Sequence, residues 1–148
     1  MKSVLVMLAA VVLLVLCNTK ESYRDVSAKP WASQAIGERY EVIGKVYGYG
    51  IREYSSAPVD YVLITAPPGV GGTTVAWEEP VRKGSVLTVR KVLKSNRILE
   101  HDINLVVDLE GTPLPDAATP RTIRLVRANQ GRGAVDLNPE IYRKLPRS

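Results

Sequence analysis

The sequence predicts an all-β fold: a small antiparallel barrel or sandwich, preceded by a signal peptide and ending in a short helical turn. Three observations carry this. Five runs rich in Val, Ile, Leu, Thr and Tyr follow one another between residues 39 and 128, with the composition of pleated, half-buried strands. Clusters of Gly, Pro, Asn and Asp separate them, which are turn residues. No amphipathic stretch long enough for a helix of about ten residues lies between them, so an α/β arrangement has nothing to build its crossovers from.

The chain of 148 residues opens MKSVLVMLAAVVLLVLC, with Lys2 followed by an unbroken apolar stretch over residues 4–16. That length suits the core of an export signal and falls short of the roughly 20 residues of a membrane span. Cys17, the only cysteine, stands where a bacterial lipoprotein carries its lipid. Leu14 and Val15 fit the motif before such a cysteine, and Leu16 departs from it. Lipidation of Cys17 is the leading expectation; cleavage after Cys17 and an uncleaved anchor are the alternatives. The protein is thus expected to be exported, periplasmic and membrane-anchored through residues 1–17. A lone cysteine forms no internal disulfide, so the core must hold the fold.

Residues 18–36, NTKESYRDVSAKPWASQAI, are polar and aperiodic and read as a tether. A single domain is expected over 37–148. RYEVIGKVYGYGIR places Tyr40, Val42 and Val46 on one alternating set, and its glycines predict one strongly curved strand. VDYVLITA is the second strand. GSVLTVRKVL is the third, with Val86, Thr88, Arg90 and Val92 on one face and Leu87, Val89, Lys91 and Leu93 on the other, either of which could be inward. DINLVVDL and RTIRLVRA are the fourth and fifth, joined by the Pro-rich loop EGTPLPDAATP. At the end, Asn138 and Pro139 are placed to start one helical turn that packs Ile141 and Tyr142, and Pro146 stops it.

The stretch APPGVGGT at residues 66–73 invites comparison with a phosphate loop. That loop needs a glycine where Ala66 stands and a lysine where Gly72 stands, and it must open a helix whose N-terminus faces the phosphates. TTVAWEEPVRKG offers β-branched residues, Pro80 and Gly84 instead. INLVVDLE, an apolar run ending near Asp108, imitates the partner strand of such a loop, yet continues straight into a turn. The stretch is read as a connection between strands.

Other chemistry is weakly signalled. His101, the only histidine, lies between Glu100 and Asp102, whose side chains alternate on a strand and do not converge. Ser55, Ser56 and Ser85 lack a nucleophile-elbow pattern. Asp60, Glu78, Glu79, Asp102 and Asp108 could pair in principle for glycan hydrolysis. The sequence thus predicts no catalytic residue, no metal and no cofactor. The net charge is +5, and Arg121, Arg124 and Arg127, with Arg132, Arg143, Lys144 and Arg147, concentrate it near the end. Downstream of Trp77 the only aromatic is Tyr142, so stacking on nucleic acid has no platform. A binding surface is therefore sought among Arg121, Arg124, Arg127, Trp77 and Tyr49. Its expected partners are another envelope protein or an anionic envelope surface, besides the membrane that holds the anchor. Solvated strand edges and barrel-end packing would account for the same residues.

YEVIGKVYGYGI, YVLITAPPGV and VRKGSVLTVRKVL together resemble small bacterial envelope lipoproteins with a compact barrel of the Src-homology-3-like kind. The resemblance covers about residues 37–110 and brings no catalytic residues with it. It implies a non-enzymatic binding or accessory module. An immunity-type lipoprotein that blocks a periplasmic toxin and a cell-wall hydrolase are the alternative readings.

Overall fold

The computed structural model describes residues 22–96, 102–115, 122–126 and 135–147. The signal segment, Cys17, Glu100, His101, Arg121, Arg127 and Arg132 lie outside them. Among the described residues no helix is long and apolar enough to cross a membrane. The expected β character holds, in a single mixed sheet. Its strands are β1 (Tyr23–Asp25), β2 (Arg39–Val42), β3 (Val46–Ile51), β4 (Tyr61–Thr65), β5 (Val75–Val81), β6 (Val86–Ser95), β7 (Ile103–Glu110), β8 (Thr122–Val126) and β9 (Tyr142–Lys144), with a four-residue helix α1 (Pro30–Ser33).

The order β5-β3-β4-β8-β7-β6-β2-β9, with β1 beside β6, corrects two expectations. The sheet is not closed into a barrel: β5 and β9 end the path unpaired with each other. Nor is it purely antiparallel, because β4 and β8 run parallel, Tyr61 opposite Thr122 and Leu63 opposite Arg124. A parallel pair needs a long crossover, and here three strands of intervening chain supply it.

Strand β6 organises the domain. One edge pairs with β7 over its whole length, and the other carries β2 near its start and β1 at its end. Its register with β7 shifts between Val89 and Lys91, a β-bulge at Arg90. An extra residue turns every later side chain to the other face. Leu87 and Val89 are therefore buried before the bulge and Val92 after it. Neither alternating set of the third predicted strand is inward throughout; the inward face changes set at Arg90.

The predicted tether is corrected over its described part. β1 is built into the sheet, and the Val26 N–H donates to the Val92 carbonyl at 2.9 Å. α1 starts on Pro30, whose missing N–H is harmless at a first helical position. It bridges from β1 to β2 beside the bulge, burying Val26, Ala32 and Ala35 in the core. The single curved strand expected over 39–52 is two strands separated at Gly44, where a Cβ would lie 2.8 Å from Ile141 Cα. The C-terminal turn forms, with the Tyr142 N–H donating to the Asn138 carbonyl at 2.9 Å. It does not grow into a helix, because pairing with β2 draws Tyr142 and its successors into β9.

The larger core lies on one face of the sheet. Val42, Val46, Ile64, Leu87, Val89, Val92, Leu105, Leu125 and Tyr142 form a continuous core, which Leu137 and the half-buried Ile141 extend. At its margin the Glu38 carboxylate, 7% exposed, receives Arg147 Nε at 3.0 Å and lies 2.8 Å from Lys144 Nζ. Its Oε2 accepts no well-aligned hydrogen bond, so Lys144 contributes as an ion pair. Burial pushes this carboxyl up, but Lys144 and Arg147 outweigh burial and hold it below its ordinary value.

Candidate binding surfaces

The stretch at residues 66–73 is the turn from β4 toward β5. Gly69 has φ 77°, a left-handed conformation suited to glycine, and it rests on the ring of Tyr49. A Cβ there would lie 2.6 Å from Tyr49 Cζ. The loop thus covers the outer face of β3 and leaves Tyr49 only 2% exposed. Burial, then the charges of Glu78 and Tyr47, push the Tyr49 hydroxyl pKa up. The glycines of the would-be phosphate loop roof an aromatic ring, and Tyr49 offers a partner no open surface.

Trp77 lies on the opposite face. It pairs with Gly50 across β5 and β3, and a Cβ on Gly50 would come within 2.8 Å of Trp77 Cδ1. Gly48 lies along the same face, where a Cβ would meet Leu114 Cδ2 at 3.3 Å and Trp77 Cζ3 at 3.7 Å. The indole is therefore laid flat along glycine backbone and bordered by Leu114. Its Nε1 is buried with no hydrogen-bond partner, although buried indole N–H groups ordinarily find one. Beyond Leu114 opens a groove of about 450 Å³ between the end of β5 and residues 112–115, lined by Glu79, Pro80, Arg82 and Leu114 with Pro113 and Pro115. The Arg82 N–H donates to Thr112 Oγ1 at 2.9 Å, and Thr112 Oγ1 is 2.7 Å from Ser85 Oγ, so both walls are fixed.

Arg124 lies on the same face as Tyr49. Tyr49, Leu63 and Arg124 stand opposite one another in a row across β3, β4 and β8, about 10 Å from end to end at ordinary strand spacing. The guanidinium carbon is 4.0 Å from the centre of the Tyr61 ring and 5.5 Å from that of Tyr23. The Nε atom is buried without an acceptor.

Of the expected surface, then, the structure brings Arg124 and Tyr49 to one face and puts Trp77 on the other. Asp108 is held by Arg90 Nε at 2.6 Å, as an exposed pair on neighbouring strands. Among the described residues no three His, Cys, Asp or Glu side chains gather. The groove wall at 112–115 belongs to the Pro-rich segment read from sequence as a plain loop. Its one usable signal was the apolar Leu114 between two prolines. No family model matches the chain, and no curated protein or solved structure matches it significantly.

Proposed function

We propose that the protein is an exported, non-enzymatic binding module, tethered at the cell envelope by a lipid on Cys17 and taking a protein partner in the groove beside Trp77. The observation that carries the partner site is the groove walled by Pro113, Leu114 and Pro115, with Leu114 and the Cζ3 edge of the Trp77 indole side by side over Gly48. Pre-ordered proline walls lose little entropy on binding, and a half-buried indole next to them suits an interface anchor. β5 is also a sheet edge, with Pro80 removing one donor from it; contact is accordingly made by side chains in the groove and not by strand addition. The apolar stretch ahead of Cys17 supports export and anchoring. The likeness of residues 37–110 to Src-homology-3-like envelope lipoproteins supports the same accessory role, carried here on a sheet open between β5 and β9.

Two measurements test this. Cys17→Ser should abolish fatty-acid labelling and release the protein from membranes; labelling that survives rejects the anchor. A photo-cross-linking residue at Glu79 or Arg82 should give a discrete adduct in cells, while one at Asp108 should not. Indistinguishable adduct patterns from the two places reject the groove.

A further inference from the structure

We propose that Arg124 is the receptor for an oxyanion of the phosphate type on the outer face of the sheet. This site is separate from the groove beside Trp77 and does not depend on it. Among the described residues no carboxylate forms an ion pair with Arg124, and its guanidinium packs on two tyrosine rings instead. Its Nε is buried and lacks an acceptor. A half-buried cation with an unmet donor is the situation that a bound anion relieves most.

Geometry decides how an anion would approach. The Tyr61 ring lies 4.0 Å and the Tyr23 ring 5.5 Å from the guanidinium carbon. The two rings and the burial of Nε restrain the side chain, and what they leave for recognition is the in-plane N–H fork of the two terminal nitrogens. That fork matches two oxygens of a phosphate or phosphomonoester in a way an ammonium cannot. Strand pairing supplies the surroundings. Tyr23 stands opposite Ser95, and Asn104 stands opposite both Leu93 and Val126. Asn104 and Ser95 are buried polar residues, so this part of the outer face is not a plain apolar surface.

The test uses the full chain in neutral detergent and follows the arginine Nε–H resonances by NMR. Inorganic phosphate is one probe and a short-chain phosphatidic acid below its micelle concentration is the other, with chloride at matched ionic strength as control. The Arg124 resonance should shift with at least one probe and not with chloride. Arg124→Gln should weaken that binding about tenfold or more, and Arg124→Lys should fall between. A response to phosphatidic acid alone identifies a lipid headgroup as the source; a response to both identifies the phosphate group itself. Tyr61→Leu, which keeps the arginine and removes the nearer ring, should also weaken binding and serves if Arg124→Gln does not fold. No phosphate-specific shift of the wild-type resonance, or equal affinity in wild type and folded variants, overturns the proposal.

Discussion

Gly69 lies against the ring of Tyr49, with left-handed backbone and no room for a Cβ. Both constraints act at one residue. Gly69→Ala should destabilise the fold by about 2–4 kcal/mol, combining the backbone cost with overpacking. Combining it with Tyr49→Leu should cost less than the two single changes added, because the shorter side chain relieves the overlap. Denaturant midpoints of the four proteins check this; strict additivity would show that the ring and the glycine are independent.

Gly50 and Gly48 share a face of β3 but face different neighbours. A Cβ on Gly50 collides with the Trp77 indole, while one on Gly48 first meets the flexible end of Leu114 at 3.3 Å. Gly50→Ala should therefore cost about 1–3 kcal/mol and move the tryptophan emission to longer wavelength. Gly48→Ala should do much less. Equal effects would mean that the indole does not lie along Gly50.

The Glu38 carboxyl is held below its ordinary value near 4.5 by Lys144 and Arg147, against the opposing effect of burial. A depressed folded-state pKa contributes stability that is fully present above the unfolded value and lost as pH falls through the folded one. Thermal stability should thus drop on acidification below about pH 4.5, and Glu38→Gln should flatten that part of the curve. At pH 7 Glu38→Gln should cost roughly 1–2 kcal/mol, since both cations are left largely in water. Removing Lys144 and Arg147 together should cost more, because it strands a buried carboxylate. Melting temperatures between pH 3 and 7 decide the matter.

The bulge at Arg90 ranks two neighbours. Val92 is fully buried and Leu93 only partly, although unbroken alternation from Leu87 and Val89 would place Leu93 inside. Val92→Ala should cost about 1–3 kcal/mol and Leu93→Ala less than about 1 kcal/mol. Chemical denaturation measures both, and the reverse order would contradict the register shift.

Much of the fold was legible from composition. The strands predicted from VDYVLITA, GSVLTVRKVL, DINLVVDL and RTIRLVRA overlap β4, β6, β7 and β8, because β-branched runs between turn residues need no distant partner to be recognised. β5 was missed: Glu78, Glu79 and Pro80 give VAWEEPV no strand pattern, and two charges and a proline are tolerated there because β5 is at the edge of the sheet. β1 and β9, three residues each, carry too little pattern to stand out, and β6 and β2 select them by pairing.

The candidate sites divide in the same way. Trp77 and Arg124 were visible as residue types suited to recognition. The flat seat of Trp77 on Gly50, the groove wall at Leu114 and the two tyrosines beside Arg124 depend on strand order, which local pattern does not encode.

By itself the sequence determined the strand-rich character, the turn positions and the role of residues 66–73 as a connection between strands, since each follows from local backbone preference. Tertiary structure alone decided which face of β6 is buried, that the sheet stays open, and that Gly69 covers Tyr49 while Trp77 and Arg124 face opposite ways. Those outcomes turn on one extra residue at Arg90 and on pairings between segments as far apart as β4 and β8, where packing of distant side chains outweighs local preference.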